Sequence, residues 1–262
     1  MKLELLHEKA KGNAKGTPIL FVHGMWHGAW CWQEYFMPYF AQKGYDSHAL
    51  SLRGHAGSEG HEKLRWSSIA DYVKDVGWAV AQIGRPPIIV GHSMGGFVTQ
   101  KYLETNQAPA AVLLTSAPYY GLWNSTLMLF FRHPIMVLRV LATLRLYPVA
   151  ETPELAREGL FSKDISEEAL EKYHKQFQDE SFRAYLDQLG LNLVRPGRVK
   201  TPLLVIGAQD DAVIPLTSIQ KTARAYGTEA VMLPDIAHDV MLEPKWQTAA
   251  DTILDWLETK GL

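Results

Sequence analysis

The stretch PIIVGHSMGG, residues 87–96, decides the fold. Its first half is a short apolar run typical of a buried strand, and its glycine-rich second half leads into a helical pattern that runs through Glu104. Residues 91–95 fit G-x-S-x-G, a short pattern that becomes specific when it lies between a strand and a helix. Backbones pass close together at such a turn, so Gly91 and Gly95 are predicted to leave room where a Cβ would collide.

Similar apolar runs occur on both sides of this stretch. Further strands are predicted at 18–22, 45–52, 110–114, 203–206 and 230–233, and amphipathic helices at 67–83 and 246–258. Because short apolar strands alternate with helices, the sequence predicts an α/β fold with a mostly parallel sheet covered on both faces. Residues 119–198 break this rhythm with a helical pattern and no convincing strand. We therefore predict a core of residues 1–118 and 199–262, with a helical cap, 119–198, inserted in it.

Composition excludes several classes of protein. Hydrophobic residues make up 47% of the 262 positions, which is enough for a large core and excludes disorder. The 26 basic and 28 acidic residues give a net charge of −2, which offers no electrostatic footprint for nucleic acid. The single cysteine, Cys31, cannot form an internal disulfide. The first residues lack the apolar segment of a signal peptide, and arginines interrupt the longest apolar region, 126–147, so a cytoplasmic location is predicted.

Three residues have the chemistry of nucleophilic catalysis. A serine hydroxyl is a weak nucleophile at neutral pH, so Ser93 would need a base, and the base would need an orienting acid. His238 follows the last predicted strand and Asp211 follows the one before it, with Asp210 as a competing candidate that suits the loop pattern less well. At the helix N-terminus the backbone N–H of Met94 would point toward the reacting carbonyl oxygen. The chain order Ser, Asp, His is the one that the elbow pattern requires.

The other histidines are weaker candidates for the catalytic base. His92 lies inside the elbow, but strand alternation predicts that it points away from Ser93. His23 ends a strand and is expected to orient its loop, whereas His55 and His61 lie on polar loops and are expected to be solvated. No His, Cys and Asp set has convincing metal spacing, so neither a catalytic metal nor any other cofactor is predicted.

The sequence resembles enzymes of the α/β-hydrolase fold, of the serine esterase and lipase kind, over nearly its whole length outside the cap. The matching segments, in the family's order, are residues 23–26, residues 53–58, the Ser93 elbow, and the loops that contain Asp211 and His238. The resemblance implies a second oxyanion-hole donor from the residue after His-Gly. In this chain that donor is the N–H of Met25, partnered by Met94.

Residues 27–30, HGAW, also resemble the plant esterase and hydroxynitrile lyase branch of that family. Lyases of that branch carry a threonine where this chain has Gly24, and a lysine where it has Asp239. Both departures count against cyanohydrin cleavage and are compatible with ester hydrolysis. A serine at the elbow, in place of aspartate, also argues against haloalkane dehalogenase and epoxide hydrolase chemistry.

The predicted function is hydrolysis of carboxylic esters of small to medium apolar substrates through an acyl-enzyme. The predicted substrate-binding residues are Gly24, Trp26, Phe130 and Leu138. Alternatives on the same triad are a carbon–carbon bond hydrolase and a thioesterase or acyltransferase, and a receptor-like binding protein of the same fold is a further one. The expected partner is a small-molecule ester bound by a monomer or homodimer, with membrane contact through the cap as a weaker alternative.

Overall fold

In the computed structural model, which describes residues 1–262, seven strands form one sheet. The strands are β1 Leu5–Glu8, β2 Ile19–Val22, β3 Ser47–Leu50, β4 Ile88–His92, β5 Ala111–Leu114, β6 Leu203–Ala208 and β7 Ala230–Leu233. Their order across the sheet is β1-β3-β2-β4-β5-β6-β7, and only β1, which was not predicted, pairs antiparallel to its neighbour. The predicted α/β class with a mostly parallel sheet is confirmed.

Helices cover both faces of the sheet. They are α1 Trp30–Gln33, α2 Phe36–Gln42, α3 Ile69–Ile83, α4 Met94–Tyr102, α5 Trp123–Arg132, α6 Pro134–Thr143, α7 Pro153–Leu160, α8 Glu167–His174, α9 Phe182–Leu186, α10 Leu216–Ala225 and α11 Trp246–Thr259. One face packs against α2 and α11 and the other against α3, α4 and α10, each around a large cluster of buried apolar side chains. The predicted helices at 67–83 and 246–258 correspond to α3 and α11.

The start of α3 shows how local sequence sets these boundaries. The Ser68 hydroxyl accepts a hydrogen bond from the N–H of Asp71, and the Asp71 carboxylate accepts one from the N–H of Ser68, which completes a capping box. Gly84 ends the helix with φ of 76°, in the left-handed region that glycine adopts without strain. The helix therefore begins two residues later than the apolar periodicity alone suggested.

Between β5 and β6 the chain contains five α-helices and no strand. Residues of α7 and α8 belong to the same apolar cluster as α2 and α11. By contrast, α5 buries no residue and α6 buries only Met136 and Val140. No single helix is long and apolar enough to cross a membrane; α5 and α6 would qualify together by length and composition, but their axes bend by 117° at the break between them. The division into core and cap stays a prediction.

Candidate active site

Ser93 lies at the turn between β4 and α4 in a strained conformation. Its backbone has φ of 51° and ψ of −119°, and a positive φ is uncommon for any residue other than glycine. The turn is tied to the neighbouring strand by the N–H of Ser93, which donates to the carbonyl of Leu114 at 3.1 Å. This conformation turns the Ser93 side chain out of the strand, at the carboxyl end of the sheet.

The turn is possible because backbones approach closely around it. A Cβ added to Gly95 would lie 2.3 Å from the carbonyl oxygen of Val22, and one added to Gly91 would lie 2.5 Å from Oγ1 of Thr99. Real Cβ atoms do not approach backbone oxygens so closely, so any side chain at Gly95 would push α4 away from β2. The predicted need for glycine at positions 91 and 95 is confirmed.

Three side chains meet at this end of the sheet. Nε2 of His238 lies 2.9 Å from Oγ of Ser93, and Nδ1 of His238 lies 2.8 Å from Oδ2 of Asp211. The other oxygen of Asp211 accepts hydrogen bonds from the N–H groups of Val213 and Ile214, both at 2.8 Å. Asp210 is exposed and makes no side-chain contact with His238. Of the two candidate acids, Asp211 is therefore the one that the structure brings to the histidine.

The charges around His238 set its tautomer. Because the Asp211 carboxylate can only accept, Nδ1 of His238 carries the proton and Nε2 is free to accept one from the Ser93 hydroxyl. Burial is the largest single effect and disfavours the charged imidazolium, but the charge and hydrogen bond of Asp211 and the charge of Asp239 together outweigh it, so the pKa of His238 is raised above its ordinary value of 6.5. Ser93 itself is only 9% exposed.

The loop that carries His238 is held by its backbone. The carbonyl of His238 accepts hydrogen bonds from Oγ1 of Thr115 and from Nε2 of His92, both at 3.0 Å. His92 thus faces this carbonyl and not the Ser93 hydroxyl, in agreement with strand alternation. Burial lowers the pKa of His92 to about 3, so it supports the loop as a neutral donor.

Two backbone N–H groups in the turns beside Ser93 donate no hydrogen bond in the structure. The N–H of Met94 is the first in α4 and has no acceptor within the helix. The N–H of Met25, in the loop after β2, donates no hydrogen bond in the structure. A hydroxyl, an imidazole base and unpaired backbone N–H donors are the components needed for acyl transfer.

Comparison with known proteins shows the family of this chain. Residues 19–250 match the Alpha/beta hydrolase family. This chain belongs to that family. A monoacylglycerol lipase of Mycolicibacterium smegmatis is 23% identical to this hydrolase over 231 residues, which cover 83% of this chain and 80% of the relative.

Two further proteins show how far the likeness extends. Methyl jasmonate esterase 1 of Vitis vinifera is 34% identical over 88 residues, 33% of each chain. A thermophilic esterase of Thermogutta terrifontis superposes on 98% of this hydrolase and 94% of its own chain, with a TM-score of 0.72 and 19% identity. The structural likeness extends over the segment between β5 and β6 as well as the sheet.

One prediction about the histidines of this hydrolase is wrong. His55 is fully buried, not solvated, and its Nε2 lies 3.0 Å from Oε2 of Glu180. The local sequence around His55 is polar, but Glu180 lies 125 residues later and closes over it. His61 is exposed as predicted. Nδ1 of His23 lies 2.8 Å from the carbonyl oxygen of Gly24, and its Nε2 accepts the N–H of Leu52, so His23 does orient its loop.

The predicted substrate-binding residues occupy different surroundings. Gly24 lies against the elbow, where a Cβ would be 2.7 Å from Nδ1 of His92 and 2.9 Å from Cβ of Ser93. Trp26 is buried, and its indole N–H donates to the carbonyl of Leu146 at 3.3 Å. Phe130 and Leu138 are 42% and 60% exposed on α5 and α6. Contact of these four residues with substrate stays a prediction.

One group of buried side chains has metal-ligand chemistry that the sequence spacing did not indicate. Candidate ligand atoms of His92, His238 and Asp239 lie within 4.8 Å of one another. However, both ring nitrogens of His238 are already occupied by Asp211 and Ser93. A metal ion bound by His238 would have to break one of these hydrogen bonds, so the set does not fit a cation that acts together with the serine.

Proposed function

We propose that this protein is a serine hydrolase that cleaves carboxylic esters of small to medium apolar substrates through an acyl-enzyme. The observation that carries the proposal is the continuous chain of contacts from Oγ of Ser93 through His238 to Asp211, at 2.9 and 2.8 Å. The names of two relatives, a monoacylglycerol lipase and a methyl jasmonate esterase, support ester bonds as the target.

In the proposed mechanism, Oγ of Ser93 attacks the ester carbonyl while Nε2 of His238 takes the hydroxyl proton. Asp211 keeps the imidazole in the tautomer that can accept this proton, and its charge stabilises the imidazolium that forms. His238 then gives the proton to the departing alkoxide, which leaves as the alcohol. Water then attacks the acyl-enzyme with the same proton transfers through His238, and the carboxylic acid is released.

The developing oxyanion is assigned to the N–H groups of Met25 and Met94. Both are free of protein acceptors, and the one on Met94 also benefits from the positive end of the α4 dipole. Each donor that is aimed at the oxyanion contributes about 3–4 kcal/mol of transition-state stabilisation in such sites. These donors would lower the barrier to both acylation and deacylation.

The surroundings of Met25 support an apolar, uncharged substrate. Its side chain packs against a small apolar cluster of Val140, Leu146 and Phe182. An ester group placed near Met25 would therefore have hydrocarbon and not charge around its acyl or alcohol part. A methyl-bearing residue at Gly24 would collide with His92 and Ser93, which supports esters over the cyanohydrins of the threonine-bearing lyases.

The test is hydrolysis of p-nitrophenyl esters of rising acyl length, with Ser93→Ala measured beside the wild type. We expect steady turnover of the wild type with an optimum at short to medium length, and loss of turnover in the variant. Esterase activity that survives in Ser93→Ala would overturn the proposal. A single burst of product without turnover would also count against it and favour a receptor-like binding protein.

A further inference from the structure

The outer surface of α5 and α6 is far more apolar than the rest of the molecule. Of the 13 large hydrophobic side chains that are exposed in the whole chain, eight lie on these two helices. Phe131 and Ile135 are the most exposed of them, at 79% and 75%. The two helices contact each other, so their exposed side chains form one apolar face. An apolar face of this kind usually marks a surface that docks on something else.

The apolar residues repeat with helical spacing on the side that faces solvent. On α5 the exposed residues Trp123, Leu127 and Phe131 are four positions apart, which places them on one side of the helix. On α6 the exposed residues Ile135 and Leu138 are three positions apart. A helix that only borders water carries polar residues on its outer side, so this pattern indicates a partner for the face.

The charges around the face are all of one sign within the segment. Residues 105–150 contain no aspartate or glutamate and three arginines. The arginines are Arg132, Arg139 and Arg145, and they pair with Glu158, Glu151 and Asp179 respectively. Each arginine side chain is more than half exposed, and each acid is less exposed than its arginine. Arg132 and Arg145 meet their acids through Nε, which leaves their terminal nitrogens able to bind phosphate oxygens.

These features fit a phospholipid surface better than a second copy of the chain. Two copies joined symmetrically through this face would bring arginines against arginines, and the segment has no carboxylate to receive them. A bilayer surface supplies acyl chains for the apolar side chains and phosphates for the guanidinium groups. Each helix has ten residues, about 15 Å, and their axes bend by 117°, which suits helices that lie in the interface and do not cross it.

The inner side of α6 faces the candidate active site. Val140 is buried in a small cluster with Leu146 and Phe182, and Met25 packs against the same cluster. The indole N–H of Trp26 donates to the carbonyl of Leu146 at 3.3 Å. One helix therefore carries the apolar face on its outside and contacts the surroundings of the proposed oxyanion donor on its inside.

We propose that the apolar face of α5 and α6 docks this hydrolase on the surface of an anionic phospholipid bilayer, where the site takes apolar esters dissolved in that bilayer. The choice of esters rests on the proposed function, whereas the docking rests on the surface alone. The exposed side chains enter the boundary between headgroups and acyl chains, and the arginines stay at the level of the phosphates.

The test measures binding of the full chain to extruded vesicles of phosphatidylcholine and phosphatidylglycerol in equal amounts. We expect the double variant Phe131→Ser with Ile135→Ser to bind at least about 10-fold more weakly than the wild type. The matched control, Phe131→Leu with Ile135→Leu, keeps two apolar side chains at the same positions and should bind within about threefold of the wild type. Both positions are exposed, so urea unfolding should not change.

The arginines are tested by lipid composition. We expect wild-type binding to be at least about fivefold tighter with phosphatidylglycerol than to vesicles of phosphatidylcholine alone. Absence of wild-type binding to either kind of vesicle, equal binding to both kinds, or undiminished binding of the serine variant would each overturn the proposal. A wild-type dimer that the serine variant turns into a monomer, without vesicle binding, would assign the face to a second copy and overturn it as well.

Hydrolysis separates this proposal from the proposed function. With p-nitrophenyl octanoate carried in the vesicles, we expect the serine variant to lose at least about fivefold in rate, while water-soluble p-nitrophenyl acetate is hydrolysed at the wild-type rate. An equal rate on both substrates would contradict delivery from the bilayer. If the proposed function fails, neither ester is turned over through Ser93, but the vesicle-binding results are unaffected.

Discussion

Two buried histidine–carboxylate pairs in this hydrolase share the same chemistry and differ in what lies beyond the ring. In the pair of His238 and Asp211, the second ring nitrogen faces the hydroxyl of Ser93. In the pair of His55 and Glu180, it faces the carbonyl of Arg53 at 3.1 Å. A carbonyl has no proton to exchange, whereas a hydroxyl does. The same buried pair is therefore suited to proton transfer in one place and to cross-linking two segments in the other.

The largest effect expected from this comparison is on catalysis. Asp211→Asn preserves the shape of the acid but lets His238 adopt the tautomer whose Nε2 cannot accept the Ser93 proton. We expect kcat to fall by about 10⁴-fold, while urea unfolding changes little. Steady-state hydrolysis of the best p-nitrophenyl ester measures it. A loss smaller than about tenfold would mean that something other than Asp211 sets the tautomer of His238.

The pair of His55 and Glu180 should show the reverse pattern, a loss of stability without a loss of activity. His55→Leu leaves Glu180 as an unpaired buried charge, and such losses cost about 3–5 kcal/mol of unfolding free energy. We expect kcat per titrated active site to be unchanged, because neither residue contacts the proposed triad. Urea denaturation and active-site titration together measure both quantities. A drop in kcat without a drop in stability would show that the comparison is wrong.

The stability contribution of His55 should also depend on pH. Burial is the largest single effect and lowers the pKa of His55, but the charge and hydrogen bond of Glu180 and the backbone contacts of Arg53 and Leu52 together outweigh it, so the pKa is raised above 6.5. A group whose pKa is raised on folding stabilises the native state below its unfolded pKa and loses that effect as the pH rises through its native pKa. The gap in unfolding free energy between wild type and His55→Leu should narrow as the pH rises from about 6.5 through the native pKa of His55; a gap that widens over this range would contradict the assignment.

A smaller effect concerns the acidic limb of the pH–rate profile. His238 must be neutral at Nε2 to act as a base, and its pKa is raised above 6.5. We expect kcat/KM to fall about tenfold per pH unit on the acidic side, with a midpoint above 6.5 that moves down in Asp211→Asn. A midpoint that Asp211→Asn leaves unmoved would show that another group controls this limb.

The smallest effect on stability is expected for a histidine–carboxylate pair at the surface. Nε2 of His133 lies 3.0 Å from Oε1 of Glu158, and both side chains are partly exposed. Water screens such a pair, so His133→Ala should change the unfolding free energy by less than about 0.5 kcal/mol. Urea denaturation measures it beside His55→Leu. Similar losses of unfolding free energy in His133→Ala and His55→Leu would show that burial does not cause the difference between the two pairs.

Sequence reasoning succeeded where a feature is local. The elbow at Ser93 combines a strand, close-packed glycines and a helix within about ten residues, and Ser93, Asp211 and His238 each follow directly on an apolar strand. The structure brings these three side chains together; their catalytic roles stay proposals. Strand β1 was missed because its LLHE sequence is short and none of its residues is buried, so it has no apolar run to detect.

Sequence reasoning failed where a residue depends on a distant partner. The solvated environment predicted for His55 was wrong because Glu180 covers it from another part of the chain. In the same way, Asp239 appeared only as a departure from a lyase pattern. Its contact with His27 joins residues separated by more than 200 positions. Nothing in the spacing of a single sequence marks such a pair.

The low exposure of Ser93 has a consequence for inhibitor design. At 9% exposure, Ser93 presents little of its surface to the solvent. The rate at which a covalent reagent labels the serine should then depend on the girth of the reagent as much as on its intrinsic reactivity. Slender phosphonates and carbamates would be the right starting scaffolds.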